Sequence, residues 1–439
     1  MASRQRLVKY IIDLVKWPGQ HQRLLLILAI LLLLLTGEGL PPGLIDTQIK
    51  YRVSIERFDF VGWEVDTLWE KLLDGLIAPQ RYLDEEARHD FVVDYMDLVS
   101  EIQRTEWEIN LVYTDPNVSA PDAESAELRA RLAELRTEQQ IRQPIAEAIL
   151  EEQVATVLTD AGFGTLGQEL PPVSAHFTPL PTLLVVSPRD HIENVFSLSL
   201  QHGLDTAQRE AAEMRIDAEL NVSSLITDIG GLAAYPSMLL ESSWLPWVAE
   251  VTAHEWTHHY LTLRPLGWNY LESSETRTIN ETTASIVGKE IGYEVITRYY
   301  PELPPPELPS LPEPSDKDEE EQQEETPPPE PPEFDFRMEM RETRIRADEL
   351  LADGKIEEAE AYMEEQRQMF VAQGYVIRKL NQAYFAFYGS YADTPGAAGK
   401  DPIGPTVLKF RARSPDLHTF VSEIARVTTL DEVEALLGE

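Results

Sequence analysis

Residues 251–261 read VTAHEWTHHYL, and residues 280–292 read NETTASIVGKEIG. The first stretch contains HEWTH, two histidines four positions apart with a glutamate directly after the first. On an α-helix, positions i and i+4 stand one above the other, so His254 and His258 can aim ring nitrogens at one point, at the 2.0–2.1 Å reach of a zinc ion. Glu255 projects about 100° further round the helix, where it can meet a reacting water without competing as a ligand. The flanks suit a helix over 244–264: Ser243 can cap it, Pro246 fits its first turn, and Trp247, Val248, Val251 and Tyr260 supply an apolar face. HExxH alone also arises by chance, so the second stretch matters. A catalytic zinc takes three protein ligands and leaves one position open. With a loop over 264–279 and a further helix starting at 280, Glu281 falls in a first turn that an antiparallel pairing brings opposite the two histidines.

HExxH followed by N-E-x-x at the start of the next helix resembles the signature of the gluzincin metallopeptidases, the group that includes thermolysin and the zinc aminopeptidases. Asn280 to Ala284 resembles the N-E-x-x-A of the aminopeptidases, and NETTASIVG resembles the thermolysin segment, where an aspartate follows the ligand glutamate by four. Here position 285 is Ser, so support for His254 must come from Ser285 or from elsewhere. The aminopeptidases' G-x-M-E-N motif is absent. The close resemblance covers about residues 244–292.

It implies an α+β, mainly helical chain, with a zincin-like catalytic domain built from a small mixed sheet, the HExxH helix and a helical C-terminal part, preceded by a helical N-terminal region. It also implies a Zn2+ cofactor held by His254, His258 and Glu281, with Glu255 as the catalytic acid–base, and hydrolysis of a peptide or protein substrate, an aminopeptidase activity among the options. The segment 228–239, DIGGLAAYPSML, stands where the family has its substrate-binding edge strand, and Gly230-Gly231 permits close approach of a ligand. An ordinary turn and core strand reads equally well there. A tyrosine or histidine downstream supplies the oxyanion donor in the family. Tyr384, Tyr388 and Tyr391 share one helical face, and Tyr384 is the choice because NQAY sets polar groups beside it; packing is the other reading. His259 is a further supporting group, while His176, His191, His202 and His418 lack ligand-like spacing.

The chain has 439 residues, 43% of them hydrophobic, enough for a large core. Its 76 acidic and 37 basic residues give a net charge of -39, which argues against nucleic-acid phosphates as a partner. There is no cysteine, so disulfides, thiolate metal sites and a cysteine nucleophile are excluded. Basic residues precede the apolar run LLLILAILLLLL at 24–35, an order that predicts a cytoplasmic N-terminus and a membrane partner for the N-terminal segment. The expectation is a single-pass cell-membrane protein with its catalytic part extracytoplasmic, with a cleaved signal or a buried core helix as alternatives.

Composition divides the chain into 1–45 (basic segment and anchor or signal), 46–160 (helical), 161–300 (catalytic core), 301–335 (a Pro/Glu-rich linker) and 336–439 (C-terminal helices). Strands are expected within 180–240, two helices joined at Asp353-Gly354, and a third over 376–392. A different class of function also fits: a membrane-tethered binding or scaffold protein with a structural or decayed metal site. A zinc hydrolase acting on something other than peptides is a third.

Overall fold

A computed structural model describes residues 49, 53, 55, 57–114, 117–165, 168–312, 334–393 and 396–438. By its internal contacts the chain divides into two units, residues 1–54 and residues 55–439. The second of these is α+β and mainly helical.

Apolar residues at three- and four-residue spacing form the long helices α2 (Glu85–Thr114) and α3 (Ala126–Leu158). Their seam holds Val92, Tyr95, Val99 and Ile102 on one side and Leu135, Ala146, Ile149 and Leu150 on the other, all nearly inaccessible to solvent. Before them, α1 (Phe60–Ile77) is capped by Asp59, whose carboxylate accepts from the Gly62 amide. Lys71 of α1 reaches Glu147 and Glu151 of α3 at 2.7 and 2.9 Å.

Beyond α3 the pattern changes to short Val- and Leu-rich strands, as the sequence predicts. A small antiparallel pair, β1 (Gly164–Thr165) and β2 (Gln168–Glu169), comes first. Next come β3 (Ala175–Phe177), β4 (Thr182–Pro188) and β5 (Phe196–Leu200), then helix α4 (Thr206–Leu220), β6 (Val222–Thr227), β7 (Gly231–Leu232) and β8 (Ser237–Leu239). One antiparallel sheet has the order β5-β4-β6, with β4 central and its Leu184, Val185 and Val186 fully buried. The other has the order β3-β8-β7: β3 runs parallel to β8, and β7 lies antiparallel to β8 at the edge.

Helices α5 (Leu245–Leu261) and α6 (Ser274–Tyr299) come next in the chain, and both contribute to the main core beneath α2 and α3. The C-terminal part comprises α7 (Phe336–Ala352), α8 (Ile356–Ala372), the short α9 (Gln382–Tyr388), α10 (Ile403–Arg413), α11 (Leu417–Ile424) and α12 (Leu430–Leu437). The α7–α8 joint falls at Asp353-Gly354, where Gly354 has φ +73°, a left-handed turn that glycine adopts without penalty.

Four local expectations change. The helix expected from residue 280 begins at Ser274, because the Ser273 hydroxyl caps it by accepting from the Thr276 amide; Glu281 therefore sits two turns in. Part of the expected 264–279 loop, Pro265–Trp268, is itself a helical turn. Ser243 does not cap α5: its hydroxyl donates to Gln103, and Ser242 accepts from the Trp244 amide. The helix expected over 376–392 shrinks to Gln382–Tyr388, because Asn381 caps it through the Tyr384 amide while Arg378 is held outside by Glu213 and the Ile226 carbonyl.

The membrane expectation is corrected. Among the described residues no helix is long and apolar enough to cross a membrane. The run at 24–35 on which that expectation rested lies outside the described residues. Most of the Pro/Glu-rich segment, 313–333, also lies outside them.

Candidate metal centre

Two glycines on one face of α6 decide how closely it lies against α5. A Cβ at Gly292 would come within 2.9 Å of the Glu250 backbone nitrogen and Cα, and one at Gly288 within 2.9 Å of the Glu250 carbonyl oxygen and 3.2 Å of the His254 Cβ. Only hydrogen fits at these positions, so the α6 backbone lies directly on α5. Seven and eleven residues before these glycines, Glu281 faces the two histidines.

The three side chains converge as the sequence predicts. His254 Nε2 and His258 Nε2 face each other at 3.1 Å, and Glu281 Oε2 lies 3.4 Å from the first and 3.5 Å from the second. Donors bound tetrahedrally to an ion at 2.0–2.1 Å stand about 3.3 Å apart, so this triangle has the edge lengths of three tetrahedral ligands. The other groups fit the same reading. Glu281 Oε2 is buried without any hydrogen-bond partner, while its Oε1 accepts from the Tyr270 hydroxyl. His258 Nδ1 donates to Asn280 Oδ1 at 2.8 Å, which leaves Nε2 with a free lone pair, and the Asn280 amide is itself fixed by donating to the Leu266 carbonyl. This group can hold a metal ion.

Charge is concentrated here. Burial alone would raise the Glu281 carboxyl, but the charge of His258 and the two imidazoles standing against it outweigh this and hold the carboxyl well below its usual range. Burial would likewise lower the His258 ring, but the Glu281 charge beside it pushes it up to about 9. Glu255 goes the other way: burial raises its carboxyl, with His254 and His258 opposing.

Glu255 is only 5% exposed, yet its carboxylate makes no hydrogen bond with any described residue. Such a group in a site with room beside it is poised for an incoming partner. Its neighbour is the edge strand: a Cβ on Gly231 of β7 would lie 2.2 Å from Glu255 Oε1. The stretch 228–239 thus contains an edge strand whose backbone abuts the glutamate. His259 links the same sheet to α5, its Nε2 3.1 Å from the Ser237 hydroxyl and its ring edge-on to Tyr235.

Cavities open on both sides of the triad. One, about 680 Å³, is walled by Leu232, Trp268, Leu271 and Phe387, with Glu64 and Glu272. The other, about 450 Å³, is walled by Trp247, Phe336, Tyr384, Phe387 and Tyr388, with Arg337 as its basic group. Gly231, His254, Glu255 and Tyr391 line both.

Among the three tyrosines, Tyr391 lies against the centre. Its ring centroid is 6.2 Å from that of His254, and burial first, then the Glu281 charge, pushes its hydroxyl well above the ordinary range. The turn before it is tied to α6 where Thr282 donates to the Ser390 carbonyl, and Asp393 after it pairs with Lys289. Tyr384 packs on Tyr388 at 4.4 Å and on Val185 and Leu225 of the sheet, and lines the smaller cavity. Tyr388 bonds Thr227. Ser285 lines the smaller cavity and makes no hydrogen bond to His254. His176 bonds Glu147, His191 lies between Asp190 and Glu193, His418 bonds Ser422 and His202 is exposed, none of them near the triad.

Sequence reasoning does not find Tyr270 or the role of Asn280, and it offers Tyr391 only as an alternative to Tyr384. The signals available were the dipeptide Asn280-Glu281, which puts a hydrogen-bonding amide next to the ligand, and the Gly288-x-x-x-Gly292 spacing, which marks a close helix contact. No family of known proteins, no curated protein and no solved structure matches this chain.

Proposed function

We propose that this protein is a zinc-dependent peptidase of zincin-like fold whose ligands are His254, His258 and Glu281. The observation that carries the reading is the partnerless, buried Glu281 Oε2 completing a tetrahedral-sized triangle with two facing imidazole nitrogens. The zinc, when bound, supplies Lewis acidity that polarises the scissile carbonyl and makes water acidic near neutral pH. Glu255 takes the proton from the attacking water and returns it to the leaving amine. Asn280 holds the His258 ring in the ligating tautomer, and Tyr270 holds the Glu281 carboxylate. Tyr391, beside His254 and lining both cavities, is the better-sited donor to the developing oxyanion than Tyr384.

The edge of β7 offers its backbone to an extended chain, which then runs from one cavity across Glu255 into the other. Room on both sides of the reacting bond favours cleavage within a chain over removal of a terminal residue. Elemental analysis of the purified protein should find one zinc per chain, and Glu281→Ala should lose it. Glu255→Gln should keep the zinc and abolish cleavage of internally quenched peptides blocked at both ends. Cleavage only of substrates with a free amino terminus would turn the reading to an aminopeptidase. Absence of zinc after incubation with the metal would leave a scaffold protein.

A further inference from the structure

The smaller cavity beside the metal centre, of about 450 Å³, has a wall unlike the rest of the chain. Aromatic residues make up 8% of the sequence, yet Trp247, Phe336, Tyr384, Phe387, Tyr388 and Tyr391 all line this one space. They come from α5, from the first turn of α7 and from α9 with the turn after it, so segments far apart in the chain bring their rings together here. The face of an aromatic ring attracts a cation and also gives apolar surface to an alkyl stem.

Two polar side chains of the same lining have nothing to bond to. Glu250 stands one turn before His254 on α5, resting on Gly288 and Gly292 of α6. It makes no side-chain hydrogen bond or ion pair with any other described residue. Ser285, one turn before Gly288, is only 8% exposed, and its hydroxyl is also without a partner among the described residues. Lys289 stands near Glu250 but is engaged by Asp393, so the three together carry one net negative charge. Burial raises the Glu250 carboxyl, Asp393 adds to this, and Lys289 and His254 oppose it; an entering cation favours the ionised form. Asp228 is paired with Arg209. Arg337 is the basic residue of the lining, and it is exposed, so water and salt screen it more than they screen the largely buried Glu250.

An apolar side chain could fill this space, but it would seal Glu250 and Ser285 from water with no partner, which is costly. A lysine or arginine side chain meets both demands at once. Resting on the peptidase reading of the centre, we propose that the smaller cavity is the specificity pocket for a basic substrate residue, whose stem lies on the rings and whose charge meets Glu250 and the Ser285 hydroxyl. The charge of the whole chain works in the same direction, since a net charge of -39 draws cationic segments toward the protein.

The test uses the full chain carrying Glu255→Gln, with zinc supplied, so that peptides bind without turnover. Salt at about 0.15 M screens loose attraction to the surface. Three labelled peptides of one alanine-rich sequence, blocked at both ends, differ at a single central residue: lysine, norleucine or phenylalanine. Anisotropy should show the lysine peptide bound at least about tenfold more tightly than the other two, since only it makes a charge-assisted contact. Adding Glu250→Gln should erase that ratio. Adding Arg337→Gln instead, at an exposed position, should strengthen binding of the lysine peptide by removing a like charge, and circular dichroism should show both variants folded. Equal binding of the three peptides, tighter binding of the phenylalanine peptide, no saturable binding of the lysine peptide, a ratio that survives Glu250→Gln, or weaker lysine binding in Arg337→Gln would overturn the inference. The peptidase reading fails separately, when the parent chain with zinc cleaves none of the three; the binding ratio then still decides what the cavity takes.

Discussion

Substituting Gly231 by alanine tests whether Glu255 is the catalytic base without touching Glu255 or any ligand. Gly231 is not in the left-handed region, so alanine meets no backbone penalty and the effect is steric. The new Cβ would sit 2.2 Å from Glu255 Oε1 and 2.9 Å from both Glu255 Cδ and Val251 Cγ1. An ordinary contact needs about 3.4 Å, so the carboxylate must retreat by about 1.2 Å or rotate away. A misplacement of about 1 Å in a reacting group costs on the order of 100-fold in rate. Overpacking a tight site costs roughly 1–3 kcal/mol of stability. Peptide cleavage, zinc content and urea unfolding would be measured on the same preparation. The expected result is kcat down by about two orders of magnitude, zinc content unchanged, and a folded protein. Gly230→Ala is the control, because its Cβ meets Trp247 at 3.0 Å rather than Glu255 and should change the rate only a few-fold. Parental kcat in Gly231→Ala, with zinc bound, would refute the role given to Glu255.

Two further substitutions probe how the triad is held. Gly292→Ala forces a Cβ against the Glu250 backbone at 2.9 Å, where no side chain can yield. It should cost about 1–3 kcal/mol in denaturant unfolding and weaken zinc binding by moving Glu281 from the histidines; tight zinc binding with parental stability would contradict the close-approach argument. Asn280→Ala removes the acceptor of the His258 Nδ1 proton and should lower zinc affinity by about 10–100-fold in a chelator competition, with little change in folding.

The ligand set is legible in the sequence because helical spacing is local physics: four residues bring His254 under His258 whatever the rest of the chain does. Glu281 is legible only through its resemblance to a family motif, since the meeting of two helices is a long-range fact. α6 starts earlier than its apolar pattern predicts for a local reason, Ser273 providing a cap seven residues before the motif. That Tyr391, and not Tyr384, packs on the His254 ring has a different origin. Sequence treats the three tyrosines as one helical face, but α9 stops at Tyr388 and the chain turns at Gly389, so Tyr391 leaves that face and comes back against His254. The capping of α9 by Asn381 and the bond from Thr282 to Ser390 depend on residues far apart in the chain, and no periodicity announces them.

HExxH marks the possibility of a site, and the packing around it determines whether the groups can act together. Gly288 and Gly292 bring α6 onto α5 closely enough for a carboxylate to reach the ring nitrogens. Gly231 lets the edge strand lie on Glu255 with no side chain between, which leaves that carboxylate open to whatever pairs with that edge. Asn280 and Tyr270 then take up one atom each of His258 and Glu281, so that the atoms left over, Nε2 and Oε2, point into the same space. A helix that merely happened to be rich in histidine would not need its neighbours trimmed to glycine at three separate places, and would not leave a buried carboxylate oxygen unsatisfied, which costs about 1–3 kcal/mol or more unless something binds it.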